Sequence, residues 1–327
     1  MNIHNIEGIK WAKSQGIKRI VLPREIEMNE LKELIEYAHS QDIEIEIFAH
    51  GALCYSYSGH CLLSSLQGGR SGNRGTCAQP CREAYDLILK NESQSSREKV
   101  IDSESEGRYL LSPRDLSLYE NLAEIANLNV DSIKIEGRMR SKDYVATVVS
   151  NYRQRLNELR HDNSSQILDN SIKTAEKRNK NKKIKDYDKK KQEDKELLRN
   201  IKRNQKIKDE QALEELNLVF NREFTTGHLI PKNNQNIMNN KKPGHSGLYI
   251  GNIHRYNKET QEIIIALHDN LLTIPEKGDG LLVEINPNNQ VIEDKKLERE
   301  KKTKRDKQKK RNRQNNKGKG KRSHKQK

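Results

Sequence analysis

Apolar and aromatic side chains are scarce in this chain: hydrophobic residues make up 32% of its 327 residues and aromatic residues 5%. A chain so poor in apolar surface cannot be one core throughout, so part of it must be solvated linker or tail. No apolar run is long enough to cross a bilayer and no apolar signal core follows Met1, which predicts a cytoplasmic protein without a transmembrane segment. No HExxH zinc motif and no serine–histidine–acid grouping is visible, so the usual sequence signatures of peptide hydrolysis are missing. Cysteine is limited to four residues, all in one stretch. What abounds is charge, with 62 basic and 47 acidic residues and a formal net charge of +15.

The cysteine stretch, residues 46–81, reads EIFAHGALCYSYSGHCLLSSLQGGRSGNRGTCAQPC and carries Cys54, Cys61, Cys77 and Cys81. In a reducing compartment disulfides are disfavoured, and grouped thiols more often bind metal or do redox chemistry. Six residues separate the first two cysteines, fifteen the middle two and three the last two. Structural zinc knuckles place roughly two to four residues inside a pair, so Cys54 and Cys61 suit zinc poorly. Iron–sulfur clusters accept less regular spacing, because their ligands surround a larger object. Spacing alone leaves a cluster open on one side and zinc or inert thiols on the other. Arg70, Arg74 and Arg82 set planar cations beside the thiols, which favours thiolate and can hold an anionic substrate. The plain alternative, a solvated glycine–arginine turn, would leave four thiols exposed on a loop.

The run Glu46, Phe48, Gly51, Ala52, Leu53, Cys54, Gly59, Cys61, Leu63, Ser64 resembles the signature of the peptidase U32 family, the collagenase-like proteases. GGRSGNRGTCAQPCR at 68–82 and KIEGRMRSKDYVATVVSNYR at 134–153 resemble its continuation and its next hallmark block. The likeness covers most of residues 1–160, with a weaker one in 214–290. It implies either a peptidase, after the family label, or an iron–sulfur protein that hydroxylates tRNA, ribosomal RNA or quinone precursors. It also implies a 4Fe-4S cluster on the four cysteines, zinc being the alternative. Because relatives carry further βα units ahead of the matching region, Met1 is expected to fall inside the family's barrel.

Strands are expected at 17–23, 43–49, 109–112 and 132–136, with helices at 2–16, 29–39, 116–127 and 142–159. The strand–helix alternation predicts an α/β fold, a partial TIM-type (β/α) barrel, over 1–162. Half a barrel has open sheet edges, so a second chain or self-association is expected to complete it. Residues 163–212, rich in lysine and asparagine, read as a charged linker. Short β runs with turn residues over 213–294 read as a small β-barrel-like domain, and 295–327 as a disordered basic tail.

In such a barrel the chemistry belongs at the carboxyl ends of the strands. Glu136 and Arg138 follow one expected strand and are candidates for proton handling and anion binding; the plain reading is an ion pair between them. His50 follows another strand and is either catalytic or a hydrogen-bonded turn residue, and Asp115 either an acid or a helix cap. The basic tail fits RNA as a partner through phosphate contacts, without aromatic interleaving for base stacking. An RNA-modifying hydroxylase is the leading expectation; a U32 peptidase and an inactive truncated paralogue that binds RNA stand beside it.

Overall fold

The computed structural model describes residues 2–90, 97–99, 108–178, 185–230 and 237–284. It opens with helix α1 (Ile6–Ser14), started by Asn5, whose side chain accepts from the Gly8 N–H at 2.8 Å. Ile9 and Ala12, three residues apart, form its core face. Trp11 is 45% exposed. Strand β1 (Arg19–Val21) leads to α2 (Met28–Ser40), where a capping box joins Glu27 and Glu30. Leu31, Leu34, Ile35 and Ala38 fall on one stripe at helical spacing, and all four are buried.

Strand β2 (Glu44–Ala52) is the hub of the sheet. Ile45, Ile47 and Ala49 alternate into the core while β1 pairs with it in parallel, Ile20 opposite Ile45. After β2 the chain forms α3 (Leu63–Gly68) and a hairpin of β3 (Ile88–Lys90) and β4 (Arg97–Lys99). It then returns as β5 (Asp115–Ser117), followed by α4 (Leu122–Asn127) and β6 (Ser132–Ile135). The latter runs parallel to β2, with a register shift between Phe48 and His50.

β5 corrects the expected topology. Residues 109–112 form no strand, and β5 lies antiparallel to β2, His50 opposite Ser117 and Ala52 opposite Asp115. The segment leaving the end of β2 comes back to that same end, so the next strand can only run in reverse. The result is a mixed α/β sheet, and the described residues close no barrel.

Helices α5 (Lys142–Arg178) and α6 (Lys185–Leu218) run through most of the stretch expected as linker. They pair antiparallel: the Asn151 amide donates to Glu215 at 2.9 Å, Arg155 pairs with Asp209 at 3.6 Å and Lys208 with Glu158 at 3.0 Å. Ala212 and Leu216 are buried in the same core as Val148 and Tyr152. Strand β7 (Phe224–Thr225) then adds to β5 in parallel. The segment expected as a separate β domain from residue 213 thus begins inside the main sheet, and one compact unit runs from Met1 to Ile274. Its last element is a hairpin of β8 (Gly251–Asn257) and β9 (Glu262–Leu267). In the second unit, from Pro275, the described residues form a turn in which Glu276 N–H donates to Asp279 at 2.8 Å, with no strand in 278–284. The expected basic tail, 295–327, lies outside the described residues. Among the described residues no helix is long and apolar enough to cross a membrane.

Candidate metal centre

The parallel strands β1, β2 and β6 end at one mouth, and antiparallel β5 begins there. The cysteine loop leaves β2 at this mouth over a glycine: Gly51 has φ 108°, and a Cβ there would collide with the Glu136 carbonyl oxygen. The loop is stitched to itself by side chain to backbone bonds. Asn73 donates to the Gly59 carbonyl at 3.0 Å, Arg70 to Thr76 at 2.9 Å, and the Ala78 N–H to the buried Ser64 hydroxyl at 2.9 Å. Glu25, beyond β1, accepts from both the N–H and the hydroxyl of Ser58.

Two arginines anchor the loop from below. Arg82 is buried and donates to Ser112 at 2.8 Å, to the Leu53 carbonyl at 2.9 Å and to the Pro113 carbonyl. Burial lowers it to about 10. Expected to hold substrate, Arg82 instead spends its donors on the loop's frame. Arg138 donates to the Gly75 carbonyl, between Cys61 and Cys77. Arg70 and Arg74 are exposed on the loop's rim.

All four cysteines are free thiols, Cys54 and Cys77 exposed, Cys61 and Cys81 half-buried. Although Cys54 keeps solvent access, the surrounding protein raises its thiol, and the charges of Cys61 and Cys77 act on it in the same direction. Cys81 is raised by burial and by the charges of the other three cysteines, against the pull of Arg82. Backbone N–H groups point at two of the sulfurs, Gln79 to Cys77 at 3.3 Å and Ser56 to Cys54. Among the described residues no three His, Cys, Asp or Glu side chains close around a single ion position. Tetrahedral zinc needs sulfurs about 3.8 Å apart, from its Zn–S length of about 2.3 Å. The ligand sulfurs of a multi-iron cluster surround a larger object than a single zinc ion.

His50 is 1% exposed, ringed by Tyr144, Tyr152 and Phe224. The Tyr152 hydroxyl donates to the Ala49 carbonyl at 3.0 Å and stands 3.2 Å from His50 Nδ1, which assigns the proton to Nδ1. Burial pushes His50 down to about 3, so it is a neutral packing residue. Asp115 is no helix cap: it starts β5 and pairs with Arg222 at 3.2 Å, both buried. Glu136 is half-buried, and its carbonyl accepts from Tyr144 at 3.2 Å. Among the described residues no ion pair joins Glu136 to Arg138.

Sequence reasoning missed Arg24 and Arg140. Arg24 follows β1 and lies 3.6 Å over Phe48; Arg140 follows β6 and lies 3.5 Å over Phe220. The signal was the scarcity of aromatics: of the three phenylalanines in the chain, Phe48 and Phe220 carry these two guanidiniums and Phe224 packs against His50.

A family profile described as peptidase family U32 matches residues 1–197. A tRNA hydroxylation protein of Bacillus subtilis is 41% identical over 153 residues, covering 47% of this chain and 35% of the relative. A 23S rRNA 5-hydroxycytidine synthase of Escherichia coli is 37% identical over 155 residues, 47% of this chain and 22% of the relative. A collagenase of Porphyromonas gingivalis is 33% identical over 162 residues, 47% and 37% respectively. The chain thus spans between about a fifth and two fifths of the length of these curated relatives. No solved structure matches it significantly.

Proposed function

Because the chain belongs to peptidase family U32, whose profile covers residues 1–197, we propose that it is an iron–sulfur protein that takes part in hydroxylating a base of tRNA or rRNA. The observation that carries this reading is that all four thiols are free and reached by solvent on the one loop that leaves β2 at the sheet mouth, with Arg82 bonded to the Leu53 carbonyl beside Cys54. Cys54, Cys61, Cys77 and Cys81 would hold a 4Fe-4S cluster, whose contribution is one-electron transfer at a potential tuned by hydrogen bonds to sulfur. The N–H groups of Ser56 and Gln79 supply such bonds. Arg138 holds the loop between the second and third cysteines, and Arg82 holds it behind the fourth. Arg70 and Arg74, exposed on the rim, are placed to meet an RNA phosphate. The net charge of +15 favours a polyanionic partner.

The peptidase reading draws on the collagenase among the relatives. It needs a group that activates water, and buried, neutral His50 is not suited to that task. Nucleoside mass spectrometry on RNA from cells with and without the gene tests the proposal. A hydroxylated nucleoside should disappear on deletion and stay absent when the gene carries Cys54→Ser. An unchanged nucleoside inventory would refute it, and cleavage of a collagen-like peptide by the metal-free chain would favour the peptidase.

A further inference from the structure

Arg24 and Arg140 are each half-buried, each seated over a phenylalanine, at 3.6 Å and 3.5 Å. Among the described residues neither guanidinium makes a hydrogen bond or ion pair, so ten N–H donors' worth of recognition surface stands unused at the mouth. Burial pulls both arginines down, while the charge of Glu136 acts on both in the opposite direction. Phe48 pairs in register with Lys134, two residues before Glu136, and the Glu136 carbonyl accepts from Tyr144, whose ring lies 5.9 Å from the Arg140 guanidinium; among the described residues no ion pair joins Glu136 to either arginine.

That separation is selective. A phosphate or a dicarboxylate drawn to the guanidiniums would bring negative charge against Glu136 and offer it no proton. A group that satisfies all three side chains presents an acceptor to an arginine, a donor to the carboxylate and a flat face for stacking. Nucleobase edges carry a donor beside an acceptor, and bases stack on guanidinium planes as readily as on aromatic rings. Glu25, next to Arg24, accepts from the N–H and the hydroxyl of Ser58 in the cysteine loop, which sets this surface beside that loop. We infer that Arg24 and Arg140, backed by Phe48 and Phe220, form with Glu136 a clamp that holds an unstacked nucleobase at the sheet mouth. The inference rests on the RNA reading above and deepens it by naming the side chains that take the base.

The test uses the full chain and needs no turnover. Two probes are compared: a short single-stranded RNA of mixed sequence with thiouridine in place of uridine, and an abasic ribose–phosphate strand of equal length. The wild-type protein should bind the RNA about tenfold more tightly than the abasic strand, the range expected for stacking a base. Photo-crosslinks should map to peptides containing Phe48 or Phe220. Arg24→Ala with Arg140→Ala should abolish both the preference and the crosslinks while binding of the abasic strand persists. Arg24→Lys with Arg140→Lys keeps the charge and loses the plane, and should behave like the alanine pair. Circular dichroism and thermal unfolding identify a variant that has merely lost its fold. A preference unchanged in the folded lysine pair, or absent from the wild type, overturns the clamp and leaves the RNA reading standing. Failure of the wild type to bind either strand overturns both.

Discussion

The Arg138 guanidinium donates to the backbone carbonyl of Gly75, tying the third residue beyond the end of β6 to the middle of the cysteine loop. The bond crosses from the sheet to the segment between Cys61 and Cys77, and a Cβ on Gly75 would meet the same guanidinium. Arg138 therefore acts on the candidate centre through the loop. Arg138→Ala should leave far-UV circular dichroism unchanged while iron retained per chain falls severalfold. Full retention of iron by the folded variant would refute the anchoring role.

Gly51 is where the sheet passes into the loop, at φ 108° with the Glu136 backbone packed against it. Gly51→Ala combines a disfavoured backbone conformation with a backbone clash, and should destabilise the fold by about 2 kcal/mol or more. Urea unfolding measures it, and a loss below about 0.5 kcal/mol would show that the close approach relaxes easily.

Asp115 and Arg222 form a buried ion pair at 3.2 Å that joins the first residue of β5 to the turn before β7. Removing the carboxylate leaves the buried Arg222 charge with only the Pro243 carbonyl and the Gln79 side chain as partners and no counter-charge. Asp115→Ala should therefore cost about 3–5 kcal/mol, and Asp115→Ala combined with Arg222→Met should recover part of the loss. A double variant no more stable than the single one would contradict this.

His50 sets a pH dependence of stability. Its folded value is pushed down to about 3 by burial, against an ordinary 6.5. Above 6.5 neither state holds the proton and the full stability is present. As pH falls from 6.5 toward 3 the unfolded chain takes up a proton that the folded chain refuses, and stability drops by about 1.4 kcal/mol per pH unit. His50→Gln should flatten that slope between pH 6 and pH 4 in thermal unfolding, where carboxylate contributions are common to both proteins. Equal slopes would place the imidazole's proton uptake in the folded state.

Much of the front half is legible in the sequence because its signals are local. The stripe Leu31, Leu34, Ile35, Ala38 predicts α2 and its buried face, and the apolar run into Cys54 predicts the strand feeding the loop. The direction of β5 is not local. It follows from the path of the whole loop, and Arg114 N–H and Asn239 N–H, bonding across to Ile237 and Ser112, tie the segment before β5 to a strip over a hundred residues away. Composition hid the α5–α6 pair, since lysine and asparagine outweigh the few contacts such as Ala212 and Leu216 that seat it in the core. Arg82 and His50 illustrate the same limit at the site: their residue types suggest chemistry, and only burial and spent hydrogen bonds reveal packing roles. Arg24 and Arg140 went unseen because stacking on Phe48 and Phe220 pairs residues from distant segments.

The most direct measurement is iron and acid-labile sulfide on the full chain purified without oxygen, beside the same chain with Cys54, Cys61, Cys77 and Cys81 each changed to serine in turn. About four irons and four sulfides per folded chain, with a broad visible absorbance that each Cys→Ser change diminishes, is the expected result for a 4Fe-4S centre. A folded chain that carries no iron under those conditions, or one stoichiometric zinc in its place, would contradict the account.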